Sequence, residues 1–481
     1  MKTINKIDKY FANVIGIDNN TKLVEEEINA KDLIVSNRID LIAKLKYIES
    51  IDKNINTSFY KDLYKETLSC FSDGTFMEPG NKNKNSFDSY IKSFNKMIKD
   101  IKINGFDNNK SIIPVSLNNV IYDGSHRVAI CAYYNKKINI TKINHKDINY
   151  DLNYFKNKYL DLVYLDYLCL EYCKLKKDIH LICIWPSCSM KIQKDISNKI
   201  YDKFKVVYEK DVSFNYNGLK NFMIQVYKNE KWIGNINNKY KGINTKVNNC
   251  IGSNSTKFII IEEKDNGKIK NFKEEIRKDI GLGNHSIHTT DSKNDNLLNI
   301  ILNSNTINFF NKANMYKYKD VYKKIDKLKD RNIDTNNILI DGSTILSLYG
   351  LRDSNDIDLL VKDKNLSKYF DIHNNELYLY DKELDDILYN PNNYIYFEGL
   401  KYISLDLLKY KKEKRREKKD VEDVELINSV LSKNKVNILF IIKRFIITFL
   451  RKIKFYIIKF LEFIHLYNIL RNIKRKIKKG F

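Results

Sequence analysis

The chain has 481 residues, 43% of them hydrophobic and 12% aromatic, which is too apolar for a disordered polypeptide. That length exceeds what one core usually supports, so two to four domains are expected, and four prolines and sixteen glycines leave little room for long flexible linkers. The net charge of +24 points to an anionic partner, nucleic acid or a membrane surface. Lys, Asn, Ile and Tyr are abundant throughout, as AT-rich codons would impose, so local clusters of charge carry more information than the total.

Seven cysteines at irregular spacing, with no C-x-x-C pair, read as reduced packing residues of a cytosolic protein. The opening MKTINKIDKYFANVIG lacks the apolar run of a signal peptide, which makes export an unfavoured expectation. Residues 20–104 read as helical, because apolar residues recur at three- and four-residue spacing in LIAKLKYIESI and SYIKSFNKMIKDI. Strand-like SIIPV and NVIYD and helix-like RVAICAYYN then complete a unit spanning 1–150.

After a helical connector, the runs HLICIWP, KFKVVYE and KFIIIEE predict buried strands, with NFKEEIRKDI as a helix, in an α/β unit over 178–315. Within it His285, His288 and Asp291 crowd one polar stretch, which reads as a loop of hydrogen-bonding residues ahead of a metal site. Trp185 and Arg277 are expected to be structural. A third unit, 325–432, reads as strand ILI, turn DGS, helix TILSLYGL, loop RDSN and strand DIDLLV, then further strands and one long charged helix from Ser404 to Leu431. The fold class is therefore α/β (α+β) and multidomain.

Chemistry concentrates in the third unit. Two carboxylates one residue apart on a strand point to one face, so Asp356 and Asp358 are placed to chelate a hard cation such as Mg2+ or Mn2+. Gly342 and Ser343, between a strand and a helix, would let a phosphate approach the backbone. Together, the hydrophobic-Gly-Ser element, a twelve-residue spacer from Thr344 to Asn355 and the Asp-Ile-Asp strand resemble the signature of the polymerase-beta-like nucleotidyltransferase superfamily. The likeness covers about ninety residues and is closest to the branch of abortive-infection toxins and small enzymes acting on sugars or antibiotics. It implies a nucleoside triphosphate substrate, charge stabilisation by Arg352, phosphate or salt-bridge contacts from Lys411, Arg415 and Lys419 on a helix that also carries Asp420 and Asp423, and a third carboxylate acting as base. Glu398 is the favoured candidate for that base, with Asp406 second.

In the first unit, Asp123, Gly124, Ser125, His126 and Arg127 stand between a strand-like segment and a helix, where a small-residue turn with Arg and His can cradle phosphate. This segment and the preceding SIIPVSLNN resemble the ParB/sulfiredoxin-like fold over about forty residues, which implies nucleotide binding or a kinase-like activity. Ser125 stands where a sulfiredoxin has its cysteine, which puts sulfinic acid reduction in doubt, and no helix-turn-helix follows to support DNA partition.

The tail, 436–481, repeats apolar residues (Phe445, Ile446, Phe449, Leu450, Ile453, Ile457, Phe460, Ile464) on one half of a helical wheel. Lys443, Arg444, Arg451, Lys452, Lys454, Lys459 and Glu462 occupy the other half. Charges recur too often for a spanning helix, so an interfacial helix on an anionic membrane is expected, with nucleic acid the lesser expectation and self-packing the alternative. The reading is a cytoplasmic enzyme at the inner membrane face that transfers a nucleotidyl or phosphoryl group to a sugar, glycan or other small hydroxyl acceptor, as in surface-polysaccharide synthesis. A toxin-like enzyme acting on tRNA or protein, and a non-enzymatic nucleotide-sensing membrane scaffold, are the alternatives.

Overall fold

Strands form where apolar residues run without a helical period, and among the described residues twelve of them sort into three sheets in a computed structural model of the chain. The structure describes residues 3–18, 21–78, 83–330 and 333–431, with 446, 449–450, 453–454, 456–461, 463–464 and 466 beyond them. The first sheet has β1 (Glu25–Asn29), β2 (Ile113–Ser116) and β3 (Lys137–Ile143) in the order β1-β3-β2. Helices Asp40–Asp52, Ser58–Ser72, Phe87–Asn104 and Ser125–Tyr133 surround it. NVIYD, expected as a strand, contributes only an isolated bridge from Ile121 to Val115. Asn119 turns through φ +61° and reverses the chain, so residues 116–122 form a tight loop instead.

The second sheet contains β4 (Ile179–Ile184), β5 (Lys205–Val212), β6 (Thr256–Glu262) and β7 (Ile287–Thr289), ordered β5-β6-β4-β7 and antiparallel throughout. Its two faces follow the two-residue period of a strand. Ile182, Ile184, Ile259 and Ile261 pack against Ile196, Ile200, Ile269 and Phe272 of helices Met190–Lys203 and Asn266–Ile280. Leu181, Cys183, Phe258 and Ile260 face the other way, into a core that runs without a break from Ala30 to Ile427 and joins all three units.

The third sheet has β8 (Ile338–Asp341), β9 (Asp358–Val361), β10 (Asp371–Ile372), β11 (Tyr394–Phe397) and β12 (Leu400–Ile403), ordered β10-β9-β8-β12-β11. The long charged helix expected from Ser404 to Leu431 is two helices, Leu405–Arg415 and Lys418–Leu431. Arg416 takes φ +58°, which ends the first helix, and the Asp420 carboxylate accepts from the Glu417 amide to start the second. The chain folds back there, and acidic residues of the second helix meet basic residues of the first.

Among the described residues no helix is long and apolar enough to cross a membrane. Most of the basic tail, including Lys443, Arg444, Phe445, Arg451, Lys452 and Glu462, lies outside the described residues. Of the apolar stripe, Ile446, Phe449, Leu450, Ile453, Ile457, Phe460 and Ile464 are all exposed. Lys454 ties the segment to the body through Asp73 at 2.7 Å.

Candidate functional site

The end of the third sheet where β8 stops and β9 starts collects the candidate chemistry. Asp341 closes β8 and pairs in register with Asp358, the first residue of β9, and Asp371 opens β10 in register with Asp358 on the other side. Asp356 lies in the bend before β9 and not on the strand. Its carboxylate still meets that of Asp358, and oxygens of Asp356, Asp358 and Asp371 all lie within 4.8 Å of one another. Three hard oxygen donors this close suit a divalent cation such as Mg2+ or Mn2+, which takes carboxylate oxygens and completes its shell with water or phosphate.

Gly342 fits this corner for a reason that the sequence does not display. It takes φ +67°, and a Cβ there would stand 2.0 Å from Asp358 Oδ2. The glycine makes room for the Asp358 carboxylate, which stands in the acidic cluster. Ser343 caps the next helix without a side-chain hydrogen bond, and that helix, Thr344–Tyr349, has six residues. Thr344 Oγ1 donates to the Asp356 carbonyl at 3.2 Å and pins the loop that carries Asp356.

Behind the three carboxylates runs a chain of ion pairs. His373 Nε2 lies 3.4 Å from Asp358 and its Nδ1 3.4 Å from Asp341. Asp341, fully buried, also accepts from the Tyr380 hydroxyl and from Lys411 at 2.7 Å. Lys411 reaches Glu376 at 2.7 Å, Arg415 joins Glu376 to Asp420, and Lys412 joins Asp420 to Asp423. Burial alone would raise Asp341, but His373, Lys411 and Tyr380 outweigh it and hold the carboxyl well below the usual range. Asp358 goes the other way, to about 6, because burial and the neighbouring Asp356 and Asp341 outweigh His373.

Several expected roles change with this geometry. Glu398 lies in the turn between β11 and β12, with φ +53°, bound by Lys228 and by Lys329 at 2.9 Å. β12 runs parallel to β8, so that turn is at the far end of the sheet from Asp341 and Asp358. The carboxylate that joins the Asp pair is Asp371. Asp406 is no substitute, since it borders a small recess with Lys312 and Tyr349. Arg352 is committed to Asp423 through a two-pronged pair, with Nη2 to Oδ2 at 2.8 Å. Lys411 is buried against Asp341, and Lys419 is exposed beside Glu417. The overlooked residues are Asp371, His373 and Asp341. Their one available signal was the Asp-x-His spacing at 371 and 373, which matches Asp356 and Asp358.

The Asp123–Arg127 segment borders a cleft of about 850 Å3. Arg127 pairs with Asp123 at 3.0 Å and donates to Ser111. Gly124 takes φ +85°, and a Cβ there would stand 2.6 Å from Ile113 Cδ1 and 2.8 Å from Arg127 Nη2. Ser125 begins helix Ser125–Tyr133. His126 meets the Tyr64 hydroxyl at 2.7 Å and sets its ring edge-on to Phe94 at 4.6 Å. Burial first, then Lys44 and Lys84, keep it well below the usual histidine range and neutral. Deeper in the cleft, buried Asp40 pairs with both Arg38 at 2.9 Å and Lys44 at 2.6 Å.

In the second unit the expected histidine loop is divided. His288 lies on β7 opposite Cys183, near the Tyr227 hydroxyl at 3.4 Å, while His285 faces Cys250 at 3.7 Å and Asp291 is exposed. Trp185 is fully buried, and Arg277 pairs with Glu274. Compared with protein-family models, curated proteins and solved structures, the chain matches none of them.

Proposed function

We propose that the chain is a metal-dependent nucleotidyl or phosphoryl transferase whose 325–432 unit is a polymerase-beta-like nucleotidyltransferase domain, with a sugar, glycan or other small hydroxyl compound as acceptor. The observation that carries this reading is the convergence of Asp356, Asp358 and Asp371 beside the Gly342 turn. The three carboxylates would hold Mg2+ or Mn2+. Such an ion neutralises charge on a nucleoside triphosphate and aligns the reacting oxygens. The chain's own residues do the rest. Thr344 fixes the Asp356 loop, and His373, held between two carboxylates, orients Asp358 and keeps positive charge behind the acidic face. With Asp341 pinned by Lys411 and Tyr380, the strand ends that carry these groups are rigid, as site preorganisation requires.

The cleft at Asp123–Arg127 belongs to the same reading as an anion site. Arg38, Lys44, Lys84 and Arg127 line it together with the start of a nine-residue helix. Docking on an anionic membrane face is supported by the exposure of Ile446, Phe449, Leu450, Ile453, Ile457, Phe460 and Ile464. The deciding experiment is calorimetric titration with ATP, CTP, GTP and UTP, with and without magnesium, on wild type and on the Asp356→Asn, Asp358→Asn double variant. Magnesium-dependent binding that the variant loses supports the transferase and names its donor. Unchanged binding refutes it and favours the cleft, and no binding leaves the scaffold reading.

A further inference from the structure

A third recess, of about 520 Å3, lies between the N-terminal helices and the third sheet. Lys46 and Lys174 line one side, from helices Asp40–Asp52 and Leu162–Leu175, and Tyr389, Tyr394, Tyr396 and Lys401 line the other. It is remote from the acidic corner. Asn336 and Asn337, which precede β8, and Lys362, which follows β9, border it, whereas Asp341 and Asp358 stand at the opposite ends of those strands.

Lys401 is the residue that packing does not explain. It is 4% exposed, and its ammonium donates to the carbonyls of Asn336 and Leu388 at 2.7 Å each. No carboxylate among the described residues lies within ion-pair distance of it. An ammonium has three donors, so two carbonyls leave one over. A neutral donor could hold the same carbonyls without burying a charge. Burial first, then Lys174 and Lys46, push the Lys401 ammonium down to about 7. The Tyr389 and Tyr394 rings lie 5.4 and 5.1 Å from it, and Tyr396 is its cross-strand partner. Five lysines and three carboxylates line the recess, and one of those lysines, Lys362, also pairs with Asp385.

We propose that this recess binds a phosphate monoester carried on a ring, a nucleoside or sugar monophosphate, with the phosphate beside Lys401 and Lys174 and the ring against the tyrosines. A phosphate monoester offers acceptor oxygens to the remaining donor of Lys401 and to Lys174. The volume falls within the ~300–1,000 Å3 of small-molecule sites, which favour boundaries between units. Tyrosine faces accept either a base or a sugar ring at little cost in side-chain entropy. This inference is independent of the transferase reading.

Calorimetric titration of the full chain in EDTA, with AMP, glucose 1-phosphate and inorganic phosphate, tests it. At least one monoester should bind, the two esters reporting which ring is preferred, and inorganic phosphate should bind at least tenfold more weakly. Lys174→Ala, at a side chain 37% exposed, should weaken the ester at least tenfold. Lys401→Gln should abolish binding. The Asp356→Asn, Asp358→Asn double variant and Arg127→Ala should bind as wild type does. No binding of any probe, or binding unchanged in Lys174→Ala, overturns the proposal even if Lys401→Gln fails to fold. Loss of binding in the acidic-corner or Arg127 variants overturns it by assigning the ligand elsewhere, and equal binding of inorganic phosphate overturns the ring contact.

Discussion

Asp40 and Asp341 are both fully buried carboxylates that serve two cations, yet different groups stand above them. At Asp40 the partners Arg38 and Lys44 themselves line the cleft, together with Lys84 and Arg127 and with the carboxylates of Glu78 and Asp123. At Asp341 the partners His373 and Lys411 lie behind the sheet end, and Asp356, Asp358 and Asp371 face outward. One device, a buried aspartate inside a pair of cations, thus sets those cations in the wall of a cleft in one place and behind a cluster of carboxylates in the other. The geometry of the partners decides which.

The largest expected effect sharpens this comparison directly. Asp40→Asn strands two buried cations and should cost about 3–5 kcal/mol, measured by urea unfolding at pH 7. Asp341→Asn should cost less, because Glu376 still reaches Lys411. The reverse order would break the parallel. Both carboxyls are held below the usual 3.8, since their cations outweigh the opposing effect of burial. Their contribution is therefore fully present above that pH and is lost as the pH falls through the folded value, so each variant should converge on wild type in acid.

Lys401 supplies the contrasting case of a buried amine with no carboxylate at ion-pair distance among the described residues. Its value near 7 when folded lies below 10.5 when unfolded, so between those limits the unfolded chain holds a proton that the folded chain has released. Stability from this group should rise with pH across that window, by at most about 1.4 kcal/mol per unit. Lys174 and Lys46 lower the value, and Glu171 and Asp334 raise it. Chemical denaturation of Lys401→Met from pH 7 to 10 should lack that slope, and an unchanged slope would exclude the charge.

Gly342→Ala should cost about 1–2 kcal/mol through the left-handed backbone and remove magnesium-dependent nucleotide binding by displacing Asp358. Binding retained in that variant would separate the glycine from the cation site. The smallest effects distinguish two carboxylates. Asp371→Asn should weaken magnesium-dependent nucleotide binding about tenfold, or about 1.4 kcal/mol, while Glu398→Gln should leave it within about twofold.

The strand-turn-helix-strand that frames the acidic corner was legible because its signals are local: apolar runs, a Gly-Ser turn and two aspartates one residue apart. Asp371 was not, since it sits on a two-residue strand whose register with Asp358 is set by the sheet. Glu398 misled for the converse reason. Its flanks read as one strand run, but the left-handed turn at Glu398 and Gly399 reverses the chain and carries it to the far end. The break at Arg416 escaped notice because no glycine or proline marks it, and it redirects Arg352 from phosphate to Asp423. The recess at Lys401 is built from segments over three hundred residues apart in sequence, where periodicity says nothing.

Gly124 and Gly342 have a consequence for how this sequence can drift. The chain is crowded with residues of AT-rich codons and keeps sixteen glycines, whose codons are GC-rich, and among the described residues ten glycines stand at positive φ. A left-handed backbone strains most other residues, so glycine is favoured at those positions. At these two positions a second constraint is added, since a Cβ would also collide with the charged group beside it. Among diverging copies of this chain, both glycines should therefore outlast the lysines around them.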